Sequence, residues 1–284
     1  MITTAPIQKN TYSLKLDSYK SEVLVLTLSY NGFELAAFTK APYTITKIAD
    51  VSFTSAIKDV QELNNYLVQF ISENDLSKQQ FQNIYINWVG NHFTLLPSSF
   101  YEPDKARDLL EFNIGKNPDE TVITNDVEDI KLVYSIPNEI KNTIDRLFPS
   151  HNLKHIGYST VKLFFNHFQL KNAELFLNIH NGQTEIVIKK DKKPLLYNVF
   201  NTLSDEDVLY YLLFSVEQFN LNPSTVKVAI AANRETSDTL FTAVKKYIKN
   251  VDFAVSDKLI IRKEELEKLP HHFYFTSLNR LLCE

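Results

Sequence analysis

Glycine is scarce: five in 284 residues, where average usage near 7% gives roughly 20. Loops that lay backbone N–H groups against a phosphate need residues without a Cβ, often at positive φ. Neither G-x-x-x-x-G-K-[ST] nor G-x-G-x-x-G occurs, which excludes the P-loop and dinucleotide fingerprints. One cysteine, Cys283, excludes an internal disulfide and a Cys-rich zinc site. A net charge of −4 gives no electrostatic reason to expect nucleic acid or an anionic membrane. No apolar run approaches the ~18 residues of a membrane span. The first residues, MITTAPIQKNTYSLKLDSYK, lack the apolar core of a signal peptide. The expectation is a cytoplasmic protein. With 44% hydrophobic and 23% charged residues, the chain can bury one large core or two smaller ones.

What is present is a duplication. Residues 22–30 (EVLVLTLSY) and 33–39 (FELAAFT) flank Asn31-Gly32, a strong hairpin signal because both turn residues take positive φ. A third run, 43–53, follows Lys40-Ala41-Pro42, and then a helical pattern over 56–71 puts Ile57, Val60, Leu63, Leu67, Val68 and Ile71 on one face. The order returns downstream. Residues 174–180 (ELFLNIH) lead into Asn181-Gly182, then 183–188, a turn at Asp191-Lys192-Lys193, and a strand at 195–200. A helix over 205–219 follows, with Ser204 and Asp207 spaced for a capping box and acids in its first turn. The two Asn-Gly pairs lie 150 positions apart.

Fourth strands at 83–89 and 226–231 match, as do helices beginning at Pro137 and near 235–248. Short strands near 153–156 and 251–255 and helices over 160–169 and 266–282 complete each half. Each half reads β-β-β-α-β-α-β-α. The fold class expected is α/β, two tandem ribonuclease H-like units in the actin-like ATPase architecture. The units span 1–170, with an insertion at about 93–134 holding a helix near 104–112 and an irregular polar stretch, and 171–284.

The segments LYNVFNTLSDEDVLYYLLFSVEQFNLNP (196–223), VYSIPNEI (133–140) and LPHHFYFTSLNRLLCE (269–284) resemble an uncharacterised family of Bacteroidota. It is the domain-of-unknown-function family numbered 3822, and the resemblance implies an actin-like ATPase fold without implying an activity. FTLLPSSFY (93–101) is similar to a strand-Pro-Ser stretch of actin-like proteins in type IV pilus and type II secretion assembly.

In nucleotide-hydrolysing actin-like proteins each first hairpin carries Asp-x-Gly-[Thr/Ser], whose carboxylate holds Mg²⁺ through water. Alignment on the glycines here puts Tyr30 and His180 at the Asp positions, with Phe33 and Gln183 after the glycines and Thr184 next. The adenosine motif, a Gly-Gly pair after the fourth strand, is replaced by Ala231-Ala232-Asn233. If a nucleotide binds, its contacts are Asn31, Gly32, Asn181, Gly182, Thr184 and Asn233. The alternative is that both Asn-Gly pairs are hairpin turns only.

Other constellations are thin. A ribonuclease H nuclease needs clustered carboxylates, and the first strands carry only Glu22 and Glu174. The pairs His151/His155 and His271/His272 have no flanking acids to complete a metal site. No G-x-S-x-G elbow exists, and nothing near Cys283 in sequence lowers its pKa. The run from Lys189 to Lys193 reads as a solvated hairpin tip. The aromatic helix over 205–219, with Tyr210, Tyr211, Phe214 and Phe219, has more apolar surface than one sheet face needs. The reading is a non-catalytic cytoplasmic scaffold or interaction protein with a degenerate nucleotide site, no cofactor and an unidentified protein partner. Alternatives are a nucleotide-binding module without efficient hydrolysis, an active magnesium ATPase, and a new enzyme in the cleft between the halves.

Overall fold

A computed structural model describes residues 7–13, 21–168, 170–180, 182–191, 193–232 and 237–284. The chain forms two compact units. One comprises residues up to Ser159 with Leu259–Glu267, and the other comprises Thr160–Lys258 with Lys268–Glu284.

In chain order the first unit holds β1 (Ile7–Ser13), β2 (Val23–Ser29), β3 (Gly32–Phe38), β4 (Tyr43–Phe53), α1 (Val60–Glu73) and β5 (Asn83–Val89). The insertion follows: β6 (Phe93–Pro97), α2 (Ala106–Ile114), β7 (Glu120–Val127) and β8 (Ile130–Pro137). Then come α3 (Asn138–Leu147), β9 (Asn152–His155) and α4 (Ile156–Asn166), inside which the unit boundary falls. The second unit has β10 (Leu175–His180), β11 (Gln183–Lys190), β12 (Lys193–Asn201), α5 (Asp205–Gln218), β13 (Lys227–Ala232), α6 (Ser237–Lys245) and β14 (Asn250–Phe253). The short strand β15 (Ile260–Ile261) belongs to the first unit, and α7 (Phe275–Asn279) to the second.

The sheets confirm the duplication. The first unit's order is β1-β4-β3-β2-β5-β9, with β15 pairing with β4; the second's is β12-β11-β10-β13-β14. Without β1 and β15, both read third-second-first-fourth-fifth. The first three strands are antiparallel, and the fourth and fifth run parallel to the first.

Each sheet separates two kinds of side chain, because successive residues alternate faces. In the second unit Leu175, Leu177, Ile179, Ile186 and Ile188 form an apolar core with Val208, Leu212 and Val216 of α5 and with Leu240 and Val244 of α6. Fully burying such aliphatic side chains stabilises by roughly 1.5–3 kcal/mol each. The other face carries buried Asn178, His180, Gln183 and Glu185. The first unit repeats this division: Phe33 packs on Phe53 and Phe70, while Thr27, Ser29, Glu34, Asp50 and Asn87 are buried in the polar register.

The structure amends several expectations. The irregular polar stretch of the insertion contains the β7–β8 hairpin, which pairs with β6 in a three-stranded sheet. This sheet covers α2 through Ala106, Leu110 and Val133. The final helix expected over 266–282 is broken into short turns, with Tyr274 at φ 56° before α7. The expected capping box is present: Ser204 Oγ accepts from the Asp207 N–H at 3.2 Å, and Asp207 accepts from the Ser204 N–H at 3.0 Å.

The glycine alignment between the halves is off by one residue. In the first hairpin Ser29 pairs with Gly32, so Tyr30-Asn31 is the two-residue loop. In the second, His180 pairs with Gln183, and Gly182 turns the chain between them at φ 71°. The register therefore matches Ser29 with His180, Thr27 with Asn178, and Glu34 with Glu185, an offset of 151.

Candidate functional site

Ligands of open α/β sheets gather beyond the carboxyl ends of the parallel strands. In the first unit these are the ends of β2 and β5, where the first hairpin is tied to its own unit. Ser29 Oγ donates to Gly32 O at 3.0 Å and accepts from the Asn31 N–H at 3.1 Å. The Tyr30 and Asn31 carbonyls accept from the N–H groups of Ile57 and Phe53, at 2.8 and 2.9 Å. Phe33 is core. Its ring meets Phe53 and Phe70 at 5.4 and 5.8 Å.

Tyr30 stands edge-on to Trp88, the sole tryptophan, with ring centroids 5.3 Å apart. The Trp88 Nε1–H donates to Ser135 O at 3.1 Å, and the Ser135 hydroxyl donates to Glu120. His92 Nδ1 lies 3.2 Å from Glu120 Oε1. Burial pushes the Glu120 carboxyl up, but hydrogen bonds from His92 and Ser135 outweigh it and leave the group below its ordinary value. Glu120 in turn raises His92. Burial, with the Glu120 charge behind it, pushes the Tyr30 phenol up to about 12. The result is a neutral phenol and a carboxylate shared between a serine and a histidine. These groups clamp the insertion hairpin against the end of β5.

His155 braces the same loop. Its Nε2–H donates to Gly90 O at 2.9 Å, and Nδ1 accepts from the Gly157 N–H at 3.0 Å. Both ring nitrogens are thus committed to backbone, and His151 donates from Nδ1 to Phe148 O at 2.7 Å. In the other pair His272 stacks on Phe253 at 3.9 Å while His271 is exposed. Among the described residues no group of three or more His, Cys, Asp or Glu is placed to hold a metal. The Cys283 thiol is buried, and burial pushes it up to about 12.

In the second unit the corresponding ends are those of β10 and β13. His180 Nε2 donates to Glu185 Oε1 at 3.0 Å, and Asn178 Nδ2 donates to the same oxygen at 2.5 Å. The Tyr197 hydroxyl donates to Oε2 at 2.9 Å. Glu185 is 0% exposed. Burial pushes its carboxyl up, but donation from His180 and Asn178 outweighs this and holds it below the ordinary glutamate value. Burial and the adjacent Glu185 push Tyr197 well up. Thr184 faces the apolar side, where its hydroxyl meets that of Thr202 at 2.8 Å. Ala231 and Ala232 are buried at the end of β13. Asn181 and Asn233, two expected nucleotide contacts, lie outside the described residues.

Lys189, expected at a solvated tip, is buried. Its Nζ donates to Phe164 O and Leu170 O at 2.7 and 3.0 Å and sits 4.1 Å over the Phe164 ring. This cation closes the last turn of α4, and burial pulls it down to about 8. Sequence reading also missed Glu34, Asp50 and Glu185. The signal was their period-2 spacing within otherwise apolar strands, which the glycine alignment obscured.

Two units with this shared strand order, each starting with a three-stranded antiparallel run, define an actin-like ATPase fold. A Bacteroides thetaiotaomicron protein with actin-like ATPase fold and unknown function is similar, with a TM-score of 0.71 and 19% identity. The match covers 85% of this chain and 93% of that one. A PilM–PilN type IV pilus biogenesis complex gives 0.63 at 12% identity, over 93% and 99%. The ethanolamine utilization protein EutJ from Carboxydothermus hydrogenoformans gives 0.51 at 8%, over 96% and 92%. At these identities the likeness is one of fold. The model of the family described as "Protein of unknown function (DUF3822)" matches residues 11–251, and the chain belongs to that family. No curated protein matches it. Among the described residues no helix is long and apolar enough to cross a membrane.

Proposed function

We propose that this chain is a cytoplasmic actin-like protein that works by binding a protein partner and does not hydrolyse nucleotide. One observation carries the reading. Ser29 and His180, which close the two hairpins at matched positions, are not carboxylates, and each is bonded within its own unit. Mg²⁺-dependent phosphoryl transfer in this fold depends on an acid at those turns, and a fold does not carry its chemistry once the site residues are replaced. The buried carboxylates nearby, Glu34 and Glu185, lie within their sheets. Release of phosphate from Mg·ATP by the full-length protein, together with melting in millimolar ATP and ADP, tests this. The expected result is no turnover above background. Enzyme-like turnover abolished by a hairpin substitution refutes the reading. A thermal shift without turnover replaces it with a nucleotide-binding module.

A further inference from the structure

The apolar core of the second unit uses one side of α5, through Val208, Leu212 and Val216. The other side faces water. Tyr210 is 61% exposed, Phe214 45%, and Leu203, just ahead of the helix, 85%. Tyr210 and Phe214 are one turn apart and stack with centroids 6.0 Å apart. The row continues inward: Tyr210 meets Tyr211 edge-on at 5.2 Å, and Tyr211 stacks on Phe200 of β12 at 4.2 Å. The exposed rings thus stand at the end of a packed ladder, so little rotamer freedom remains to be lost on binding.

The segment that carries this ridge bears charge of one sign. Residues 194–226 contain Asp205, Glu206, Asp207 and Glu217 and no Lys, Arg or His. That segment alone carries a charge of −4, equal to the net charge of the whole chain. Glu206 and Glu217 are exposed on α5 itself.

We propose that this face of α5 is the docking surface for a basic amphipathic helix of a partner protein, an inference that rests on the partner-binding reading above. The stacked pair offers a ridge that fits between apolar residues at i, i+3, i+4 and i+7 of a second helix. The flanking acids select a partner whose rim bears Lys or Arg. A second copy of this chain is disfavoured by the same charges, since a twofold contact sets α5 acids against α5 acids. An anionic membrane is repelled for the same reason.

The test uses the full-length chain and two synthetic helical peptides with one apolar face, Leu at i, i+3, i+4 and i+7. The remaining positions are Lys-rich in one and Glu-rich in the other. Fluorescence anisotropy is expected to show the Lys peptide binding at least roughly tenfold more tightly than the Glu peptide, weakening with added salt. Tyr210→Asp and Phe214→Asp are each expected to weaken it by roughly tenfold or more, as removal of an aromatic anchor does. Both side chains are exposed, so the melting temperature should stay put, and a third substitution, Leu203→Ser, provides a variant outside the helix. Equal binding of the two peptides overturns the proposal. So does binding that ignores the substitutions, or a sedimentation-detected dimer that Tyr210→Asp dissociates. ATP turnover would refute the non-catalytic reading and leave the peptide result standing; loss of peptide discrimination would do the reverse.

Discussion

Glu185 offers the sharpest test of how the second unit is held together. Replacing it with Ala removes the acceptor for Asn178, His180 and Tyr197, which donate at 2.5, 3.0 and 2.9 Å in a fully buried setting. A buried donor left without an acceptor costs about 1–3 kcal/mol, and breaking a buried charged network by removing one member typically costs about 3–5 kcal/mol. The expected loss is therefore about 3–5 kcal/mol, or a fall in Tm of about 10–20 °C. Glu185→Gln keeps the shape and loses the charge, so it falls between the two. The pH dependence has a definite sign. The folded pKa of Glu185 lies below its ordinary value of about 4.5. Its contribution is therefore complete above that value and disappears as pH falls through the folded pKa, because the unfolded chain then takes up the proton first. Urea titrations followed by circular dichroism at pH 7 and at steps below pH 4.5 measure both effects. Trp88, in the first unit, reports separately whether the damage stays in the second. The reasoning fails if Glu185→Ala costs under about 1 kcal/mol, or if the wild type and Glu185→Gln lose stability in parallel as acid is added.

Three further outcomes are expected. A Cβ at Gly90 would stand 2.7 Å from Nε1 of Trp88, which is buried and bonded to Ser135 O; Gly90→Ala should cost about 1–3 kcal/mol by overpacking and shift Trp88 emission, and an unchanged urea midpoint contradicts this. Because burial lowers Lys189 to about 8 from 10.5, the unfolded chain binds more protons between those values. The wild type should thus gain stability relative to Lys189→Met as pH rises from about 8 towards 10.5, which paired urea titrations at pH 7.5 and 10 would detect. Ser204→Ala removes one arm of the α5 capping box and should cost about 0.5–2 kcal/mol, read from the thermal midpoint.

Much of the fold was legible because local and tertiary signals agreed. The α5 capping box, the β-branched runs and the hairpin turns all point to elements that form, and their order in each half fixes the actin-like class. β7 and β8 were hidden because their turn, with Glu128 at φ 53°, has no glycine to mark it. Moreover, β7 pairs polar residues such as Thr124 and Asn125 with buried partners in β8, which blurs its alternation. The C-terminal segment has the apolar content of a helix, but Tyr274 in the left-handed region interrupts it. The polar clusters were harder still. Glu120 belongs to the insertion and meets His92 and Ser135 only through the β6–β8–β7 sheet, a long-range pairing that spacing along the chain does not encode.

The one-residue slip between the hairpins bears on how the two halves can change from here. A side chain moved by one position along a strand emerges on the opposite face. An acid engineered back at both glycine-aligned positions would therefore enter two different environments. At residue 30 it would replace a ring packed on Trp88 and come under the influence of Glu120. At residue 180 it would face Glu185, removing one of that carboxylate's donors and adding a second buried negative charge. The halves share an ancestry of form, yet a magnesium site could not be rebuilt in them by symmetric edits. Each would need its own repair, and the second would have to dismantle part of its interior first.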